Sequence, residues 1–232
     1  MNLTLIIIIS VGILVLLILA GLAIVNFSGE EMLNKFNQTS NVVTNMSAVE
    51  LANSISQNYF HNRIRLTFKP NKFCDCYASN NVLTLCSEYA NKKNLAGLAI
   101  CAHELGHAFQ FKNQVKKMQK YGKKINTSKF LSKLVNVILF VAIILVFFEK
   151  LILSGIVAGI AILVFISALS VKMSTIKIEE EASSTAIEIL RTQAYLTESE
   201  LQIAKEFLNS AKQTYVADLL KSMLKWTGLT RK

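Results

Sequence analysis

Proline and tryptophan each occur once in 232 residues, histidine three times and glycine nine times. So few breakers argue against collagen-like and Pro-rich linker architectures and favour long uninterrupted helices. Charge is scarce at 17%, and acid is the scarcer sign, with 15 Asp+Glu against 25 Lys+Arg and a formal net charge of +10. That balance argues against a disordered polyelectrolyte and against an acidic-surfaced enzyme, and the basic excess asks for an anionic neighbour. Apolar residues are abundant, at 52% with a mean hydropathy of +0.41, which is more than one soluble core needs. A mainly α-helical chain is expected, with length for one catalytic-sized domain plus a few membrane spans and with no internal repeat.

Residues 3–25, LTLIIIISVGILVLLILAGLAIV, hold no charge and reach the ~20 residues that cross about 30 Å of hydrocarbon. A cleavable signal peptide would carry a basic start and a shorter apolar core, so this segment reads as an uncleaved signal-anchor. Residues 130–171 are apolar apart from Ser132, Lys133 and Asn136 near their start and a central charged pair, Glu149 and Lys150, which predicts a helical hairpin with arms 130–148 and 151–171. Lys129 and Lys133 can snorkel from the start of the first arm. Gly155 and Gly159 give the second arm a small-xxx-small spacing that lets another helix approach.

Between Gln110 and Leu134 stand Lys112, Lys116, Lys117, Lys120, Lys123, Lys124, Lys129 and Lys133, with no acid among them. Basic flanks stay cytoplasmic, so residues 26–129 and 172–232 are expected in the cytoplasm, with the 149–150 tip and the N-terminus outside. The placement of these lysines directly before a span favours anionic lipid headgroups over nucleic acid as their partner. Cytoplasmic Cys74, Cys76, Cys86 and Cys101 are then reduced thiols, and a C-x-C pair without a second close pair does not build a four-cysteine metal site.

Ser47 to Glu50 is a capping-box pattern, followed by Leu51, Ile55 and Tyr59 at helical spacing. Residues 64–68 and 82–86 alternate with a period of two, around a Ser79-Asn80-Asn81 turn signal, which predicts a small sheet. From Asn94 an apolar helix is expected, interrupted on one face by His103, Glu104 and His107. His103-Glu104-Leu105-Gly106-His107 is H-E-x-x-H, whose i and i+4 imidazoles lie one turn apart, close enough to share one zinc ion. Glu104, between them, is placed to take a proton from a metal-activated water as a general base. Unligated polar groups are costly on an apolar helix, which favours metal over two chance histidines.

A catalytic zinc keeps three protein ligands and an open position. His61, at the end of the capped helix, reads as a surface residue. Glu179-Glu180-Glu181 opens a later helical segment; it is either a solvated acidic face or the source of the third ligand. The two spans between His107 and Glu179 return the chain to the same side of the membrane, which permits the second role.

With these features the sequence resembles the YugP-type membrane zinc metallopeptidases of bacteria, similar in motif to the HtpX group of membrane gluzincins. The resemblance rests on the N-terminal span, the capped helix, Asp75-x-Tyr77 before a strand ending Leu85-Cys86-Ser87, and Ala102-His103-Glu104-x-Gly106-His107-Ala108-x-Gln110. Two spans, Glu179-x-x-Ala182-Ser183 and Ala211-x-x-Thr214-Tyr215-Val216-Ala217 complete it. It implies a zincin-like, gluzincin-type integral membrane metallopeptidase with a small sheet beside the metal helix, Zn2+ as cofactor, proteolytic activity on protein or peptide substrates, and Glu179 as third ligand beside His103 and His107. Cys76-Tyr77-Ala78 departs from a family His-Tyr-Asp run, so any auxiliary role of that His or Asp is absent.

Thr197-Glu-Ser-Glu200 is a second capping box, launching a C-terminal amphipathic helix expected to lie on the membrane or on the catalytic domain. Tyr77 and Tyr215 are candidate oxyanion donors. The strand at 82–86 is a candidate for pairing with an extended substrate. An intramembrane protease of the site-2 type would need an Asp in a later span, and neither span has one. The non-enzymatic alternative is a metal-free membrane scaffold, against which the intact ligand and base residues argue.

Overall fold

The computed structural model describes residues 26–70, 77–79 and 81–224, with 21, 23 and 24; side chains of 77–79, 213, 215, 216, 218–220 and 222–224 are outside that description. The span expected at 3–25 therefore lies almost wholly outside the described residues, as do Cys74, Asp75 and Cys76. The chain is mostly helical and divides into two compact units.

The first unit comprises Glu31–Gly122 and Thr175–Lys212. Helix α1 runs through residues 26–40 and α2 spans Ala48–Phe60. The capping box at the start of α2 is formed in both directions, Ser47 N–H donating to Glu50 at 2.7 Å and Glu50 N–H to Ser47 Oγ at 3.3 Å. Leu51 and Ile55 are buried as the helical spacing requires, whereas Tyr59 is exposed and lies edge-on over Phe109, and Phe60 takes the core position. His61 ends the helix in the left-handed region (φ 52°) and is exposed, as expected.

Strands β1 (Arg65–Lys69), β2 (Tyr77–Ser79) and β3 (Val82–Cys86) form a sheet of order β1-β3-β2. β3 pairs parallel with β1, Arg65 opposite Val82, and antiparallel with β2, Tyr77 opposite Thr84. The expectation that β3 pairs with a substrate strand is corrected over residues 82–84, where both edges are already paired. Three-residue β2 is too short to carry a periodic signal and was not foreseen.

A short helix α3 (Ser87–Ala90) leads to α4 (Leu95–Asn113), whose N-cap Asn94 accepts from Gly97 N–H at 2.8 Å. α4 is the central element: Leu95, Leu98, Ala99, Cys101, Ala102 and Leu105 are all fully buried. Helices α7 (Ile176–Gln193) and α8 (Glu198–Leu224) complete the core with Ala186, Leu190, Ala204 and Phe207. Phe36 of α1 meets Tyr89 and Phe207 at ring-centroid distances of 5.1 and 5.9 Å. The second capping box is present too, Thr197 N–H donating to Glu200 and Glu200 N–H to Thr197 Oγ1. The first half of α8 is thus a core helix of this unit. Cys86 and Cys101 are buried, and Cys101 Sγ donates to Ala48 O at 3.2 Å.

The second unit is built around Lys123–Ser174. It contains most of α5 (Val115–Phe147) and all of α6 (Leu151–Met173), joined by a turn in which Glu149 adopts φ 58°. α5 begins well before the expected arm at Phe130, because the lysine-rich stretch has no proline and only Gly122 to interrupt a helix. The seam between the two helices repeats every seven residues. Ser128, Val135 and Ala142 on α5, and Ser154, Ala161 and Ala168 on α6, are buried. Ser154 Oγ donates to Ala142 O at 2.8 Å and Ser128 Oγ to Ala168 O at 3.4 Å. This antiparallel register brings Val135 level with Ala161. The small residues that permit close approach are therefore Ser154, Ala161 and Ala168, while a Cβ added at Gly155 or Gly159 would meet nothing within 4 Å among the described residues. Phe140, Phe147, Ile152 and Leu163 face outward, and both apolar stretches are long enough to cross a membrane with only 17% of each window buried.

Candidate metal centre

His103, Glu104 and His107 lie on α4, and Glu179 on the first turn of α7. What brings the two helices together is Gly106. A Cβ there would meet Ala182 O at 2.5 Å and Ala182 Cα at 3.0 Å, so the backbones touch where any other residue would hold them apart. Ala182, one turn beyond Glu179, is itself fully buried. The close crossing places Glu179 Oε2 at 3.2 Å from His103 Nε2 and 3.3 Å from His107 Nε2. Those separations match the ~3.3 Å between neighbouring ligands of a tetrahedral zinc with bonds of about 2.0–2.1 Å.

The donor set suits a cation by another test. Glu179 is 2% exposed, and its Oε2 is buried with no hydrogen-bond donor directed at it, although two imidazole nitrogens are close. The three ligand atoms converge within 4.8 Å of one another, and a metal ion can be held there. Such an arrangement leaves a buried oxygen uncompensated unless a positive charge, an imidazolium proton or a bound metal ion, supplies the missing partner.

The outward-facing nitrogens are also held. His107 Nδ1 lies 2.9 Å from Gln110 Oε1, and Gln110 Nε2 donates to Ile178 O at 2.9 Å, which fixes which end of the amide faces the imidazole. His107 therefore donates from Nδ1 and keeps Nε2 free as a ligand. His103 Nδ1 is 3.1 Å from Ser183 Oγ, which orients the second ring. Both partners belong to the sequence motif, Gln110 to the metal helix and Ser183 to the Glu179 helix.

Electrostatics follow from burial and charge. Burial opposes charge on His107, but the adjoining Glu179 carboxylate, aided by Glu104 and Gln110, outweighs it and pushes the imidazole up to about 9. Burial would likewise raise Glu179, yet the two imidazoles hold it far below the usual carboxylate range. Glu104 is buried at 8% exposure between the two histidines. Of the other acids in the run, Glu180 pairs with Lys212 at 2.9 Å, and Glu181 with Lys117 at 2.7 Å and with Gln110 at 3.4 Å.

Among known proteins, a family model described as "putative neutral zinc metallopeptidase" matches residues 6–230. The chain belongs to that family. Membership in the neutral zinc metallopeptidases makes zinc the metal that the His103, His107 and Glu179 cluster would take. No curated protein and no solved structure matches the chain.

His61 lies outside the cluster, exposed at the end of α2. The side chains of Tyr77 and Tyr215, the expected oxyanion donors, are outside the described residues. Sequence reasoning missed Tyr121, which stacks on His107 with ring centroids 6.0 Å apart and planes 23° from parallel, and whose hydroxyl donates to Glu179 Oε1. It stands among lysines 14 residues past His107, with no local pattern to distinguish it.

Proposed function

We propose that the chain is a membrane-anchored zinc endopeptidase of the gluzincin type, with His103, His107 and Glu179 as ligands and Glu104 as general base. The observation that carries this reading is the convergence of the three ligand atoms around a buried carboxylate oxygen that has no hydrogen-bond donor. Zinc, when bound, acidifies water and polarises a carbonyl. Glu104 then takes the proton of the attacking water and returns it to the amine nitrogen as the peptide C–N bond breaks. Gln110 and Ser183 keep the imidazole rings turned so that each presents Nε2.

The same reading places residues 3–25, 130–148 and 151–171 in the bilayer and residues 26–129 and 172–232 in the cytoplasm of a bacterial cell. Anionic headgroups would contact the stretch Lys112–Lys133, and the substrates would be proteins or peptides held near the membrane. The apolar, outward-facing surfaces of α5 and α6 support it, as does the excess of lysine before the first of them.

The deciding experiment is zinc analysis with activity on the purified full chain. About one zinc per chain is expected, lost in the His103→Ala, His107→Ala double variant, while Glu104→Gln keeps zinc and loses cleavage of a casein-like substrate. Stoichiometric zinc in the double variant rules out the ligand assignment, and undiminished cleavage by Glu104→Gln moves the base elsewhere.

A further inference from the structure

A carboxylate ligand has two oxygens, and a catalytic zinc needs one coordination position left open. If both oxygens of Glu179 were free to turn toward the ion, the second could fill that position. In the folded chain they are differentiated. Oε2 faces His103 and His107 and has no hydrogen-bond donor, whereas Oε1 accepts from the Tyr121 hydroxyl. The same phenol ring lies against His107, so Tyr121 touches two of the three candidate ligands. One turn earlier on α5, Lys117 binds Glu181 at 2.7 Å, two residues along α7 from Glu179. The first two turns of α5 thus hold the acidic start of α7 at two points and fix the rotation of the Glu179 carboxylate.

We infer that Tyr121 is a positioning residue that keeps Glu179 a one-oxygen ligand and so preserves an open metal position. The inference rests on the zinc-ligand assignment of His103, His107 and Glu179. It also separates Tyr121 from oxyanion stabilisation, since a hydroxyl has a single proton to donate and this one goes to Glu179.

The test uses the full-length protein in detergent or bilayer, with zinc affinity measured by chelator competition and the visible absorption of the Co2+-substituted form recorded beside it. The variants are Tyr121→Phe, Glu179→Gln and the pair combined. Phenylalanine keeps the ring on His107 and removes only the donor. Tyr121→Phe is expected to weaken zinc binding by about 10- to 100-fold and to weaken the Co2+ absorption, as entry of the second carboxylate oxygen raises the coordination number. In the Glu179→Gln background the same change is expected to have no further effect, because an amide has one oxygen and no second one that could enter the coordination position. A general packing role for Tyr121 would give losses that multiply in the double variant, and that result overturns the inference. So does wild-type affinity with an unchanged Co2+ spectrum in Tyr121→Phe. Failure of the wild-type protein to bind zinc removes the ligand assignment and this inference together, whereas a zinc-binding wild type with an indifferent Tyr121 removes this inference alone.

Discussion

Gly106 of α4 lies against the backbone of Ala182 of α7, with only 2.5 Å between a would-be Cβ and the Ala182 carbonyl oxygen. The contact explains two motif positions at once: a residue without Cβ between the histidines, and the smallest side chain one turn after Glu179. Neither side chain enters the cluster, and both set the distance over which His103, His107 and Glu179 meet.

Gly106→Ala therefore cannot be accommodated by moving a flexible side chain, since the obstacle is backbone. A loss of about 1–3 kcal/mol in stability is expected, together with weakened zinc binding as α7 is displaced. Thermal unfolding and chelator competition read the two effects. An unchanged melting temperature with wild-type affinity would show that the helices separate at no cost.

The helix that carries His103, Glu104 and His107 was legible in the sequence, because three chemically distinctive residues at fixed spacing sit in an otherwise apolar segment. The third member of the cluster was less so. Three adjacent glutamates offered no spacing argument, and only the family resemblance pointed to Glu179, the one the fold buries. Tyr121 left no trace, since a contact between the starts of two helices 58 residues apart has no local signature. The hairpin of α5 and α6 was legible from its apolar runs, but the residues of its seam were not. Ser128, Val135 and Ala142 meet Ser154, Ala161 and Ala168 at a seven-residue spacing, away from Gly155 and Gly159.

The three glutamates give a graded prediction. Glu179→Ala is expected to lose zinc and activity together. Glu180, half-exposed and paired with Lys212, is expected to tolerate Ala with little change, as solvent-facing pairs contribute about 0–1 kcal/mol. Glu181→Ala should fall between, because it releases Lys117 and one contact to Gln110, the residue that orients His107. Zinc content and cleavage rate of the three variants establish the order. Loss of both in Glu180→Ala with a functional Glu179→Ala would shift the ligand by one residue.

Orientation in the membrane is open to chemical labelling. After replacement of the native cysteines, single cysteines near Lys120 and after Lys177 are expected to resist an impermeant thiol reagent in intact cells. One at the Glu149–Lys150 turn should react. Labelling at the Lys120 site without labelling at the turn would invert the protein and put the metal centre outside.

In the metal-free protein burial opposes the charge on His107, but the Glu179 carboxylate outweighs it and pushes the imidazole up to about 9. Zinc takes the lone pair that the proton occupies, so binding at pH 7 should release close to one proton per ion, falling toward none as pH rises through about 9. Affinity should climb with pH over that interval and then flatten. The stability of the metal-free chain runs the opposite way. His107 has a folded value above its ordinary 6.5, so its contribution is complete below 6.5 and disappears as pH rises through about 9. Glu179 is depressed below its ordinary 4.5, so its contribution is present above 4.5 and fades as pH falls. The pair therefore favours the metal-free fold most between 4.5 and 6.5. Calorimetric zinc titrations in buffers of different ionisation enthalpy count the released protons, and melting curves of metal-free and zinc-loaded protein follow the stability. The metal-free form should lose melting temperature between pH 6.5 and 9 while the loaded form, with the proton already displaced, should not share that loss. Zinc binding with no proton release at pH 7 would mean that His107 is neutral before the metal arrives, and that the Glu179 carboxylate does not govern its charge.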